Sequence, residues 1–232
     1  MSIKLYELVG ADPTRPFSPH CWKVAMALAH KGLEFESMPT PFTAIAAIED
    51  GGHKTVPVLR DGGTVVSESF EIARYLEETY PERQSLFGGR GGEAATRFIN
   101  QWAQRAVMAQ LLPMILMDVH STLAPEDQAY FRTSREKRFG KRLEELPQGR
   151  DGRLAGLRAG LEPLRAMLAL QPYLGGEGPL FGDHIVFGAF QWARIVSPFQ
   201  VLEADDPVTQ WFDRCLDLYG GLGRRVSPAR AA

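Results

Sequence analysis

The sequence predicts an α/β domain of order βαβαββα over residues 1–81, followed by an all-helical domain over residues 93–221. Three observations carry this. Apolar periods of 2 and 3.6 alternate through the first eighty residues, a glycine-rich break fills residues 82–92, and strand patterns nearly vanish beyond it.

The elements follow in order. Ile3 to Leu8 alternates as a strand, and Cys21, Ala25 and Leu28 mark one face of a helix from Pro19 to about His30, which Lys31-Gly32 ends with a cation and a C-terminal glycine. Phe35 to Met38 is a second short strand, Thr43 to Ile48 a short or irregular helix, and Val56 to Leu59 a third strand. The turn Asp61-Gly62-Gly63 leads into Thr64 to Val66 as a hairpin. From Glu68 to Tyr80 the set Phe70, Ala73, Leu76 and Tyr80 returns to helical spacing, and Pro81 stops it.

Past Gly88-Gly89-Arg90-Gly91-Gly92, Ala94 to His120 reads as one long helix kinked at Pro113. Pro125 to about Leu143, Leu154 to Leu170, Asp183 to Val196 and Asp206 to Leu218 complete a bundle. Residues 222–232, rich in Arg, Pro and Ala, read as a loosely held tail. No internal repeat, P-loop or GxGxxG interrupts this reading.

Composition narrows the function classes. With 44% hydrophobic residues the 232-residue chain can bury a substantial core. Its net charge of −2 gives no electrostatic footprint for nucleic acid or an anionic membrane, so a small-molecule partner is expected. No signal-type N-terminus and no apolar run near the ~18 residues of a membrane span are present, which places the chain in the cytoplasm. Cys21 and Cys215 are expected as reduced thiols, and the five histidines form no His-x-x-x-His pair, so no metal is expected.

Three short motifs carry the chemistry. Ser18-Pro19-His20-Cys21-Trp22 puts a hydroxyl at a helix start, where free N–H groups and the positive end of the helix dipole favour an anion such as a thiolate. Val56-Pro57 ahead of a strand fits a cis peptide that offers backbone groups to an extended ligand. Glu68-Ser69, at the next helix start, fits the head group of an α-amino acid. All three suit one peptide-like ligand carrying a thiol.

This order of elements, with an interior Val-Pro, Glu-Ser opening the third helix and a helical second half, resembles the glutathione transferase superfamily over almost the whole chain. Phe131-Arg132-Thr133-Ser134-Arg135-Glu136, Tyr173-Leu174-Gly175-Gly176, Phe181-Gly182-Asp183, Asp213-Arg214 and Gly221-Leu222-Gly223-Arg224 further resemble the bacterial β-aryl ether cleaving members and their fungal-type relatives. The resemblance implies a thioredoxin-like N-terminal domain, glutathione as co-substrate and a homodimer. Ser18 would donate a hydrogen bond to the glutathione sulfur, and Val56 would pair its backbone with the cysteinyl unit while Pro57 fixes the turn. Glu68 and Ser69 would hold the γ-glutamyl ammonium and carboxylate. Lys54 would face the glycine carboxylate, although relatives often carry that residue directly before the Val, where Thr55 stands here.

The second substrate, a small apolar and aromatic electrophile, would lie between the Ser18 loop and the long helix, near Phe17, Trp102, Arg105, Met108, Leu112 and Ile115. Cleavage of a β-aryl ether is the narrower activity that the subgroup implies. Two other readings compete: a non-catalytic glutathione-binding or regulatory protein, and a glutathione-dependent thiol-transfer oxidoreductase using Cys21. Ser18-Pro19-His20-Cys21 has the shape of a glutaredoxin motif without its first cysteine, and Cys21 falls on the core face of its helix. Before the Asp183 helix, Leu180 stands where relatives carry a capping side chain, so that helix start is expected to be weaker by about 1 kcal/mol.

Overall fold

The computed structural model describes residues 2–229. Strand β1 (Ile3–Leu8) lies inside a four-stranded sheet of order β2-β1-β3-β4, parallel to β2 (Phe35–Thr40) and antiparallel to β3 (Val58–Asp61). Its inward side chains, Ile3 and Leu5 among them, are buried, as the period-2 pattern requires. β4 (Thr64–Ser67) pairs with β3 through the hairpin in which Asp61 opposes Thr64, and Gly62 takes the left-handed conformation that the tight turn needs (φ +57°).

Helix α1 (Pro19–His30) is buried on nearly every face, because the sheet covers one side and α8 (Phe181–Val196) the other. Their approach is close enough that a Cβ on Gly188 would sit 2.3 Å from the Pro19 carbonyl oxygen. The expected second helix is one 3₁₀ segment, Phe42–Ala47, and α2 (Ser69–Thr79) closes the first domain.

Helix α3 (Arg90–Trp102) begins at Arg90, inside the glycine-rich stretch assigned to a linker. The single helix expected over Ala94 to His120 is instead α3, a π-helical segment Ala103–Met108, and α4 (Ala109–Thr122). The Ala109 N–H bonds the Gln104 carbonyl, five residues back. Pro113, inside α4, can donate no N–H to the Ala109 carbonyl and its ring crowds that oxygen. The irregularity therefore lies upstream of the proline.

α5 (Pro125–Phe139), α6 (Arg150–Gly160), α7 (Glu162–Leu168) and α9 (Pro207–Gly221) complete the helical domain. The segment expected as one helix over Leu154 to Leu170 is thus two. Asp206 caps α9 by accepting the Val208 N–H at 2.8 Å.

Two further expectations are corrected. The stretch after Leu222 is pinned rather than loose. Gln191 Nε2 donates to the Gly223 carbonyl, Arg194 Nη1 donates to the Val226 carbonyl, and the Ala229 N–H bonds the Arg194 carbonyl. The part of the tail beyond Ala229 lies outside the described residues. The start of α8 is not short of bonds either. Asp183 accepts the N–H groups of Leu174, Gly175 and Leu180 and the Trp211 indole N–H, all at 2.8–3.0 Å. Leu180 cannot supply a side-chain acceptor, but its carbonyl takes the Asp183 N–H at 2.9 Å.

No helix among the described residues is long and apolar enough to cross a membrane, and no group of three or more His, Cys, Asp or Glu among them is placed to hold a metal ion.

Candidate active site

A cavity of about 390 Å³ lies between the two domains. The first domain contributes Phe17, Ser18, His20, Lys54, Val56 and Glu68 to its wall. The second contributes Met108 and Leu112, then Leu116 and Val119 from the same face of α4, and Tyr130, Phe131, Arg135 and Arg138 from α5.

The loop that delivers Ser18 is fixed before any ligand arrives. Phe17 N–H bonds the Leu8 carbonyl at 3.0 Å, the Trp22 indole N–H bonds the Pro16 carbonyl at 3.0 Å, and Arg15 Nη2 reaches across to the Ile195 carbonyl at 3.0 Å. Ser18 is the N-cap of α1 and is 4% exposed. Its Oγ accepts the Cys21 N–H at a long 3.4 Å, its carbonyl accepts the Trp22 N–H, and Pro19 has no N–H to satisfy. Two consequences follow from this accounting. The hydroxyl proton of Ser18 has no oxygen or nitrogen acceptor among the described residues, only the weakly accepting, protonated thiol of Cys21 nearby, and the first turn of α1 leaves the His20 N–H without a capping partner.

The neighbouring titratable groups are neutral. Burial, with the nearby Lys23 charge, pulls His20 down to about 3. Burial, with the nearby Glu7 charge, pushes the Cys21 thiol up to about 12. Cys21 is fully buried, so it is a core thiol with neither the exposure nor the acidity of a nucleophile.

The Val56–Pro57 peptide is cis, and Val56 lines the cavity just ahead of β3, which starts two residues later than expected. Neither the N–H nor the C=O of Val56 has a partner among the described residues, a free pair suited to an added strand. Glu68 also lines the cavity and holds a positive φ of 76° at the N-cap of α2, without a side-chain capping bond. A non-glycine residue there costs about 1–3 kcal/mol, and such strain gathers at ligand sites. Pro57 and Ser69 are buried directly behind these two and do not form part of the wall. Exposed Lys54 and Thr55 both line the opening, so the geometry keeps Lys54 as a candidate for the glycine end.

Of the residues expected around the second substrate, Phe17, Met108 and Leu112 line the cavity, whereas Trp102, Arg105 and Ile115 do not. Ile115 is fully buried in the core. One residue further along, Leu116 continues the stripe of Met108 and Leu112, as four-residue spacing dictates. Upstream, the π segment inserts extra length per turn and rotates what precedes it by about 100° per added residue, so Gln104 faces the cavity in place of Arg105. Trp102 packs against the core instead.

Sequence reasoning missed the α5 wall. Phe42 is held by Asp127, whose carboxylate accepts the Phe42 and Thr43 N–H groups at 2.8 and 2.9 Å and ties the 3₁₀ segment to α5. Phe42 then stacks with Phe131 and Tyr130 at centroid distances of 5.5 and 6.2 Å. The quoted run Phe131 to Glu136 contained the signal, but charged residues on a helix ordinarily read as a solvated face.

Residues 13–84 match the family described as Glutathione S-transferase, N-terminal domain, and residues 94–218 the family described as Glutathione S-transferase, C-terminal domain. The zeta-class glutathione S-transferase of Euphorbia esula is 31% identical over 164 residues, 66% of this chain and 69% of that protein. Glutathione transferase GSTFuA3 from Phanerochaete chrysosporium superposes with a TM-score of 0.77 at 27% identity, covering 97% of this chain and 94% of that one. The glutathione S-transferase CsGST83044 of Ceriporiopsis subvermispora, solved in complex with glutathione, gives 0.74 at 25% identity over 97% and 96% of the two chains.

Proposed function

Because this chain belongs to the glutathione S-transferase family, we propose that it binds glutathione along the Val56 edge, holds its sulfur as a thiolate with the Ser18 hydroxyl, and delivers it to an electrophile built on an aromatic body. The observation that carries this reading is the unspent Ser18 proton in the cavity wall at the mouth of α1.

A free thiol of pKa near 8.5 is only a few per cent ionised at pH 7, and lowering it by about two units takes roughly 2.7 kcal/mol of preferential thiolate stabilisation. A hydrogen bond to a charged acceptor contributes about 1.5–3 kcal/mol and a helix N-terminus about 0.3–2 kcal/mol. Ser18 and α1 suffice without a general base. Neutral His20 need not act as one.

Val56 N–H and C=O would pair with the cysteinyl backbone, Glu68 would hold the γ-glutamyl ammonium, the first-turn backbone N–H groups of α2 at Ser69 would serve the carboxylate in place of the buried Ser69 side chain, and Lys54 would meet the glycine carboxylate. The thiolate then forms a C–S bond with the electrophilic carbon. In addition, the electron pair passes into the substrate and is protonated. In displacement, it leaves with the departing group, a halide or, for a β-aryl ether, a phenolate.

Calorimetric titration with glutathione and a conjugation assay with an aryl halide test the reading. The chain should bind and conjugate, and Glu68→Ala should weaken glutathione binding by about tenfold, as loss of one charge-assisted bond does. Binding without turnover selects a glutathione-binding protein that lacks catalysis, and absence of both overturns the proposal.

A further inference from the structure

The cavity wall carries three cations, Lys54, Arg135 and Arg138, against one carboxylate, Glu68, in a chain whose net charge is −2. Glutathione, as placed above, uses Lys54 and Glu68. The two guanidiniums on α5 remain.

Arg135 is the more constrained. It is half-buried, with its carbon Cζ 4.6 Å from the Phe131 ring centroid and 5.5 Å from that of Phe42. Its one hydrogen bond among the described residues is Nη1 to Ser134 Oγ at 2.9 Å, and it has no ion pair there. The acids nearby are committed elsewhere. Asp127 holds the Phe42 and Thr43 N–H groups, and Glu136 takes Arg132 at 2.9 Å and the Leu143 N–H at 3.1 Å. Burial, with the Arg138 charge beside it, lowers the Arg135 pKa, as expected of a cation lacking a counter-ion. Stacking occupies the face of a guanidinium and leaves its in-plane N–H donors, the fork that matches a carboxylate.

We propose that Arg135 is the anion-recognising residue of the second-substrate half of the cavity, so that the electrophile carries a carboxylate on an aromatic body that packs against Phe42 and Phe131. This rests on the glutathione transferase reading and names the substrate class for that site.

The test uses 4-(chloromethyl)benzoate and its methyl ester. In both, the glutathione sulfur forms a C–S bond at the benzylic carbon, the C–Cl bond breaks, and chloride leaves with the electron pair. The pair differs in charge at the far end of the ring. The wild-type chain should prefer the acid, and Arg135→Gln should lower kcat/KM for the acid relative to the ester by about tenfold or more, the effect of one lost charge-assisted hydrogen bond. Arg135→Lys, which keeps the charge and loses the fork, should recover part of that ratio and guards against a variant that fails to fold.

Equal losses for acid and ester would assign Arg135 to bracing the two rings and overturn the proposal. A raised KM for glutathione with either electrophile would assign it to the glycine carboxylate, with the same result. If the wild-type chain conjugates both without preference, the proposal alone falls. If it neither binds glutathione nor conjugates either compound, the transferase reading falls and takes the proposal with it.

Discussion

Replacing Ser18 with alanine removes two things: the hydroxyl proton available to the thiolate, and the oxygen that caps the Cys21 N–H at 3.4 Å. The first sets the chemistry. Losing a charge-assisted bond of about 1.5–3 kcal/mol raises the bound thiol pKa by about 1.1–2.2 units. From a starting value of about 6.5, the ionised fraction at pH 7 falls from roughly three-quarters to between about 20% and 2%. The less acidic thiol is also the stronger nucleophile, with a Brønsted slope of about 0.4–0.5, which returns some three- to tenfold. The rate at pH 7 therefore falls only about fivefold at most, and the pKa is the decisive measurement. Thiolate absorbance of bound glutathione against pH should show the titration moving up by at least one unit in Ser18→Ala and little in Ser18→Thr. A shift below about half a unit, with glutathione still bound, refutes the role. The lost cap should cost stability toward the low end of about 0.5–2 kcal/mol, because 3.4 Å is long for such a bond, and urea denaturation measures that separately.

Two further outcomes test the scaffold. Gly188→Ala would place a Cβ 2.3 Å from the Pro19 carbonyl, a backbone atom that cannot swing aside; thermal unfolding should show a loss of about 3 kcal/mol and conjugation should drop with the displaced Ser18, whereas an unchanged midpoint and rate would contradict the packing. Burial pushes the Glu7 carboxyl up to about 7, against the pull of its 2.5 Å bond from Ser37. Between about pH 4.5 and 7 the native state keeps this proton while the unfolded chain has released it, so stability from Glu7 is fullest below 4.5 and falls by about 3 kcal/mol as pH rises to 7. Glu7→Gln should consequently gain stability over wild type at pH 8 but not at pH 4.5 in urea denaturation, and an equal difference at both would sink the assignment.

The sheet and most helices were legible because their cause is local. Ile3 and Leu5 alternate toward the core, and Asp206-Pro207 writes a helix start in two residues. The misreadings share a different cause. The π segment has no sequence mark of its own, since Ala103 to Met108 are ordinary helix formers. The hold on the tail depends on Gln191 and Arg194, some thirty residues away, and neither periodicity nor composition registers such a bond.

The candidate site divides along the same line, and its division has a functional meaning. The end assigned to glutathione consists of an N-cap, a Val-Pro step and a helix-opening Glu-Ser, each specified by two or three adjacent residues and each carried by the first domain. The wall assigned to the electrophile is assembled from α4, α5 and the Phe42 segment, and its composition depends on how the π segment sets the rotation of one helix and how Asp127 anchors another. A small change in either can exchange Gln104 for Arg105 or withdraw Arg135 from the wall without touching Ser18. Substrate choice in such a molecule is set by packing between helices, while thiol activation is set by local capping, so the two can change independently.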